Sequence, residues 1–158
     1  MTPAPHLLID LPSEAATCAL AAALARRARR GDILGLSGPL GSGKTTFARA
    51  FIRERVGAVE VPSPTFTLVE VYQSLTGPAL WHFDLYRLER PEDAYELGIE
   101  EGLAEGISLV EWPERLGSLL PRERLGVTLA PGTSDGARQA RLDASPAWSG
   151  RLSGLPHG

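Results

Sequence analysis

Gly38-Pro39-Leu40-Gly41-Ser42-Gly43-Lys44-Thr45 is the stretch on which the fold of this chain turns. Its spacing is G-x-x-x-x-G-K-[ST]. In that pattern glycines let successive backbone N–H groups turn inward around phosphate oxygens, and a lysine neutralises the β- and γ-phosphates. Lys44 is the only lysine among 16 basic side chains; all the others are arginines. A compact ammonium fits between two phosphates where a planar, forked guanidinium does not, so this arginine-biased chain keeps lysine where the geometry requires it. Upstream, Ile33 to Ser37 is a short apolar run that reads as a strand. Downstream, Thr45 to Arg55 places Phe47, Ala48, Phe51 and Ile52 on one face at helical spacing. Strand, glycine loop and helix are the order a phosphate site needs, with the positive end of the helix dipole aimed at the same anion. Gly38, Gly41, Ser42 and Gly43 then form the cradle and Lys44 the counter-charge. Thr45 offers a hydroxyl to Mg2+, and Thr46 is placed to touch the α-phosphate.

Outward from this unit the chain alternates short apolar runs with helical patterns. His6 to Leu11 reads as a first strand. Ser13 caps a helix over Ala15 to Arg30, whose arginines (Arg26, Arg27, Arg29, Arg30) suit the negative end of its dipole. Those arginines are either a solvated helix end or a contact for a partner or RNA. Thr67 to Tyr72 and Ala79 to Leu85 form an antiparallel hairpin. Pro91 starts a helix that Gly98 stops near Leu97, and a second short helix covers Ile99 to Ala104. Ile107 to Val110 is a strand ending at Glu111-Trp112-Pro113, where Pro113 is expected to keep the chain extended. Leu125 to Ala130 and Ala137 to Ala144 close the sheet, and the last dozen residues are expected to be frayed. The prediction is an α/β fold over residues 1–158: a single-domain P-loop NTPase-like sandwich, its mixed central β-sheet flanked by helices.

Bulk properties narrow the function. A chain of 158 residues, 43% apolar and 22% charged, has the composition of one globular domain. A formal net charge of −3 excludes coating of nucleic acid by bulk charge, though not a local basic patch. Cys18 is the only cysteine, so there is no internal disulfide and no cysteine-based metal site. No apolar run approaches the roughly 18 residues of a membrane span, and Met1 to Pro5 is not read as a secretory signal. The expected compartment is the cytoplasm, with no membrane partner.

A phosphate loop alone binds nucleotide; hydrolysis also needs an acid at the metal and a group that orients water. Glu111, at the end of an apolar strand, occupies the place of a Walker B acid. It is read as a metal ligand with Thr45, against a structural ion pair. Asp84 lies inside the apolar segment Trp81 to Arg87, where an acid is costly unless it is paired or works at a metal. It is read as acting on the metal water or attacking water, the alternative being a pair with Arg87 or a loop cap. Thr65, on the proline-stiffened loop Ser63-Pro64-Thr65-Phe66-Thr67, is the candidate sensor of the γ-phosphate, against a purely structural loop. His82 reads as a packed or surface strand histidine. Trp112 reads either as a core anchor or as an exposed ring beside the site.

Four stretches occur in one order: the loop through Thr46, Ser63 to Glu70, His82-Phe83-Asp84-Leu85-Tyr86-Arg87-Leu88, and Val110-Glu111-Trp112-Pro113-Glu114. Together they resemble the bacterial TsaE (formerly YjeE) family over roughly Leu11 to Arg141. The resemblance implies a small α/β P-loop protein that binds ATP and Mg2+ and hydrolyses ATP slowly alone. It also implies association with the TsaB–TsaD pair, whose TsaD transfers a threonylcarbamoyl group to a tRNA adenine. On this chain the family's metal ligands fall on Thr45 and Glu111, its essential acid on Asp84 and its switch-like threonine on Thr65. Adenine recognition is implied near Ser13 to Thr17 and near Gly136 to Arg138, which makes Arg138 a nucleotide contact. Two other outputs remain open on the residues alone: a small-molecule or nucleoside kinase, and a nucleotide-gated assembly module that does not hydrolyse.

Overall fold

β2 (Ile33–Ser37) and β5 (Ile107–Glu111) lie side by side in the middle of the sheet. β5 is buried throughout and β2 along all but its last residue, as parallel strands covered on both faces must be. The computed structural model describes residues 6–62 and 68–155. Around the two central strands are β1 (His6–Leu11), β3 (Val69–Tyr72), β4 (Leu80–Asp84), β6 (Leu125–Pro131) and β7 (Arg138–Ala144). The helices are α1 (Glu14–Arg27), α2 (Lys44–Val56), α3 (Ile99–Glu105) and α4 (Pro146–Ser149), with 3-10 helices at Pro91–Leu97 and Pro113–Leu119. The strands form one sheet in the order β1-β7-β6-β2-β5-β4-β3. β6, β2, β5 and β4 are parallel, while β1, β7 and β3 pair antiparallel at the edges. The sheet is therefore mixed, as expected, and β3 with β4 forms the expected antiparallel pair.

Alternation along the strands sorts side chains to the two faces. Leu34, Leu36, Leu80, Ile107 and Leu109 join Phe47, Phe51 and Ile52 of α2 and Leu20 and Leu24 of α1 in one core. Alanines 21 and 25 are buried there as well, and α1 packs closely on α2. Ile33, Phe83 and Val110 point the other way, onto Leu88, Ala94, Ile99 and Leu116. Trp81 lies across Gly106, where a Cβ would come within 2.5 Å of the indole.

Three expectations need correction. α1 ends at Arg27 rather than Arg30, because the chain turns extended at Ala28 (φ −73°, ψ 146°). Three of the four arginines expected at its end are tied within the chain: Arg26 pairs with Glu54 at 2.6 Å, Arg27 donates to the Ala23 carbonyl, and Arg30, beyond the helix, to that of Glu105. Nor does Pro113 hold the chain extended. Trp112 adopts a left-handed conformation (φ 60°, ψ 51°), and Pro113 opens a 3-10 helix that folds back over Gly35 of β2. Through Leu155, finally, the C-terminal stretch is packed rather than frayed. Trp148 of α4 is 1% exposed and Leu155 4% exposed, both in the α1/α2 core. Arg151 stacks 4.0 Å from the Trp148 ring and holds both Asp32 carboxylate oxygens, at 2.7 and 3.0 Å. The segment 91–97 forms where a helix is expected, but as a 3-10 helix, with Gly98 left-handed (φ 80°) at its end.

Candidate functional site

The loop 38–43 leaves the C-terminal end of β2 and enters α2, whose N-cap is Gly43 in the left-handed conformation (φ 99°). A glycine cap offers no side chain to the first turn of the helix, so those N–H groups remain for an anion. Gly38 has φ 138°, and a Cβ there would meet the Leu129 carbonyl oxygen at 2.3 Å. Only glycine lets the loop pass β6 so closely. Arg138, at the start of β7, donates Nε to the Ser42 carbonyl at 2.8 Å and a terminal nitrogen to that of Gly41 at 3.2 Å. The Ser42 N–H is spent on the Pro39 carbonyl at 3.1 Å, and with the Ser42 and Gly41 carbonyls engaged by Arg138 the remaining N–H groups of the loop are the polarity left to a ligand.

Lys44 is buried at the first position of α2. Its ammonium donates to the Gly38 carbonyl and lies 3.5 Å from the centre of the Trp112 ring. Burial pushes its pKa below the ordinary 10.5, while the charges of Glu111, Glu114 and Asp84 pull it back upward. Trp112 is half-buried and also packs on Tyr86, ring centres 4.9 Å apart. Both readings of Trp112 apply in part: it packs against the core that holds Phe83 and Val110, and it also lines the site.

The parallel pairing of β4 with β5 sets Asp84 opposite Glu111. They are 7% and 5% exposed respectively. Asp84 Oδ1 accepts the Tyr86 N–H at 3.1 Å. Glu111 Oε2 lies 2.7 Å from Nε2 of His82, which is itself buried. Gly41 and Gly43 of the loop, Lys44, Thr45, Thr46, Asp84, Glu111, Trp112 and Arg138 line one cavity of about 420 Å³, with Leu40, Tyr86 and Arg87 at its wall. β2, β5 and β4 all end there, and their neighbours leave β2 in opposite directions. This is the topological switch point at which open α/β sheets bind ligands.

Of the residues singled out in the sequence, Gly41, Gly43, Lys44, Thr45, Thr46, Asp84, Glu111 and Arg138 meet at this cavity. Gly38 and Ser42 shape the loop behind it. Thr65 lies outside the described residues. The segments expected near adenine also meet: Glu14, Thr17, Gly136 and Arg138 share a smaller recess of about 30 Å³ with Gly43 and Thr46. The Thr17 hydroxyl is buried there without a hydrogen-bond partner among the described residues. His82 is packed, one of the two places expected for it, but its contact with Glu111 and the presence of Tyr86 at the site were not foreseen. His82 and Asp84 are two apart on one strand and so share a face with the site, which was the signal available.

The donor set suits a hard cation beside phosphates. The hydroxyl residue Thr45 and the carboxylate residues Asp84 and Glu111 are among those that line the cavity, with Thr46 and Tyr86 beside them. Among the described residues there is no group of three or more His, Cys, Asp or Glu placed to hold a metal alone. Mg2+ is commonly bound in this way, through one or two carboxylates with substrate phosphates and water supplying the rest.

Comparison with known proteins agrees with this architecture. The family model described as threonylcarbamoyl adenosine biosynthesis protein TsaE matches residues 11–140. The tRNA threonylcarbamoyladenosine biosynthesis protein TsaE of Rickettsia felis is 40% identical over 123 residues, covering 77% of this chain and 71% of that one. The Bacillus subtilis protein of the same name is 40% identical over 121 residues, 75% of this chain and 74% of its own. The crystal structure of Bacillus subtilis YdiB superposes with a TM-score of 0.80 at 28% identity, covering 98% of this chain and 97% of that one. On the family match, these relatives and the shared fold, the chain belongs to the TsaE family and serves threonylcarbamoyladenosine biosynthesis in tRNA.

Proposed function

We propose that this protein is a Mg2+-dependent ATPase of tRNA threonylcarbamoyladenosine formation, acting in the cytoplasm with TsaB and TsaD homologues to let the modification turn over. One observation carries the reading: the phosphate loop, Lys44, Thr45, Asp84 and Glu111 converge on a single cavity at the ends of three adjacent strands. The loop N–H groups and the start of α2 bind the triphosphate, and Lys44 compensates charge on its β- and γ-phosphates. Thr45 and Glu111 hold Mg2+, which supplies charge stabilisation at the transferring phosphoryl group. Asp84, two residues from the Tyr86 N–H that fixes it, orients a water for attack or at the metal. The base lies toward Glu14, Thr17 and Gly136, with Arg138 bracing the loop between base and phosphates. Thr65 is the proposed sensor of the γ-phosphate, and hydrolysis resets the contacts with the partner proteins. tRNA is met through those partners or by direct contact.

The test is phosphate release and repeated modification in a reconstituted mixture with TsaB, TsaD and tRNA. Wild type is expected to hydrolyse ATP faster with the partners than alone, and Lys44→Ala to support no repeated rounds. Repeated rounds with Lys44→Ala would sink the ATPase reading. Phosphate appearing on a small acceptor rather than in water would point to a kinase. Tight ATP binding with no hydrolysis even with partners would leave an assembly module.

A further inference from the structure

We propose that His82 is a positioning residue for Glu111: its ring N–H fixes one carboxylate oxygen and thereby aims the other at the cation. The inference rests on Glu111 being a metal ligand, as proposed above. His82 Nε2 and Glu111 Oε2 are 2.7 Å apart, with side chains only 3% and 6% exposed. Register explains why they meet. In the β4–β5 pair Asp84 stands opposite Glu111 and His82 opposite Leu109, and the two-residue period of β4 puts His82 and Asp84 on one face. His82 thus lies one step deeper in the sheet than the two acids.

Three features separate this contact from incidental packing. The position is one where a strand would ordinarily bury an apolar side chain, as Leu80 does two residues earlier on the same face. A buried imidazole is costly there unless it is hydrogen-bonded. Nδ1 of His82 is buried and has no hydrogen-bond partner among the described residues, so the contact with Glu111 is what satisfies the ring. Nε2 is then the protonated nitrogen, donating to the carboxylate. Finally, Glu111 has an acid as its register neighbour, and the Lys44 ammonium acts on both, so a fixed donor is needed to hold one Glu111 oxygen in place. The ring N–H holds Oε2 and leaves Oε1 to a metal. Partners of this kind, behind a ligand, typically alter metal affinity by about 10–100-fold when removed.

The experiment measures affinity for a non-hydrolysable ATP analogue by calorimetry, in EDTA and across a Mg2+ or Mn2+ titration. The proteins are wild type, His82→Leu, His82→Gln, His82→Asn, Glu111→Gln and the His82→Leu/Glu111→Gln double variant, with thermal unfolding of each. His82→Leu is expected to keep wild-type nucleotide affinity in EDTA and to need roughly 10–100-fold more cation for the metal-dependent gain. His82→Gln, whose amide nitrogen can take the place of Nε2, is expected to restore most of it; His82→Asn, with a shorter reach, is not. Adding His82→Leu to Glu111→Gln should cost no further cation affinity, because the two act as one unit. If Glu111→Gln loses cation affinity while His82→Leu keeps it, or if Gln and Asn behave alike, the positioning role is wrong and the ligand assignment stands. If Glu111→Gln itself binds cation as wild type does, the ligand assignment fails and takes this inference with it. Should His82→Leu not fold, the Gln–Asn contrast alone decides.

Discussion

Lys44 concentrates the site's electrostatics in one side chain. It is buried, its pKa is pulled down by desolvation, and three carboxylates hold it charged. A triphosphate offers that ammonium far stronger partners than a carbonyl and an aromatic face. Lys44→Ala is expected to weaken binding of an ATP analogue by roughly 10–100-fold, the range of a charge-assisted contact worth about 1.5–3 kcal/mol. Lys44→Arg should not recover it, because the forked guanidinium does not fit the slot. Equilibrium binding of the three proteins checks both claims. Asp84→Asn is expected to part binding from chemistry: analogue affinity within about threefold of wild type, and hydrolysis with partners reduced at least about 100-fold. The same substitution removes one of two buried acids held opposite each other. The unliganded protein should therefore unfold at the same temperature or a few degrees higher, about 2–4 °C for each kcal/mol relieved. A variant that hydrolysed normally would remove Asp84 from the mechanism. Gly38→Ala tests the loop itself. With φ at 138° and the Leu129 carbonyl 2.3 Å from the new Cβ, it should lose both stability and nucleotide affinity.

Among the elements, the one least visible in the sequence is α4 with the turn that follows. Its composition, rich in Pro, Gly and Ser, reads as a fraying end, and only packing shows otherwise. Pro146 starts a single helical turn, Trp148 enters the core beneath α1, and Arg151 closes over the indole while holding Asp32 at the turn before β2. Trp148→Ala is expected to cost about 3–5 kcal/mol, read as a lower midpoint in chemical denaturation with an unchanged slope. Unfolding like wild type would mean that the indole is not part of the core. The other elements were largely legible because their periodicities are strong. The apolar runs of β2 and β5 and the spacing of Phe47, Phe51 and Ile52 leave little choice of state. Trp112 was not legible, since a bulky residue before a proline is ordinarily extended. Here its left-handed backbone turns the chain so that the ring reaches Lys44.

For the whole molecule, the sheet order makes the site. β5 and β6 flank β2 on opposite sides, and the crevice at their ends holds the loop. Because ligand binds only the folded arrangement, saturating nucleotide should stabilise the protein by mass action. At 100 times the dissociation constant this amounts to about 2.7 kcal/mol. ATP with Mg2+ is therefore expected to raise the melting temperature of wild type by roughly 5–10 °C and that of Lys44→Ala by far less at the same concentration. An equal shift in both proteins would place the nucleotide elsewhere.

The sequence by itself determined the phosphate loop, the strand before it, the helix after it and the α/β class, because these rest on local backbone requirements and on short-period patterns of apolar residues. It also marked Asp84 and Glu111, since acids ending apolar runs are costly without a task. The tertiary structure decided which strands lie together, and so that those two acids face each other across a parallel ladder. It decided that His82 reaches Glu111, that Arg138 crosses from β7 to brace the loop, and that the C-terminal turn belongs to the core. These contacts join residues 29 to more than 100 positions apart in the chain, and no local propensity encodes such pairings. They follow from strand order and register, which only burial of the complete set of apolar faces selects.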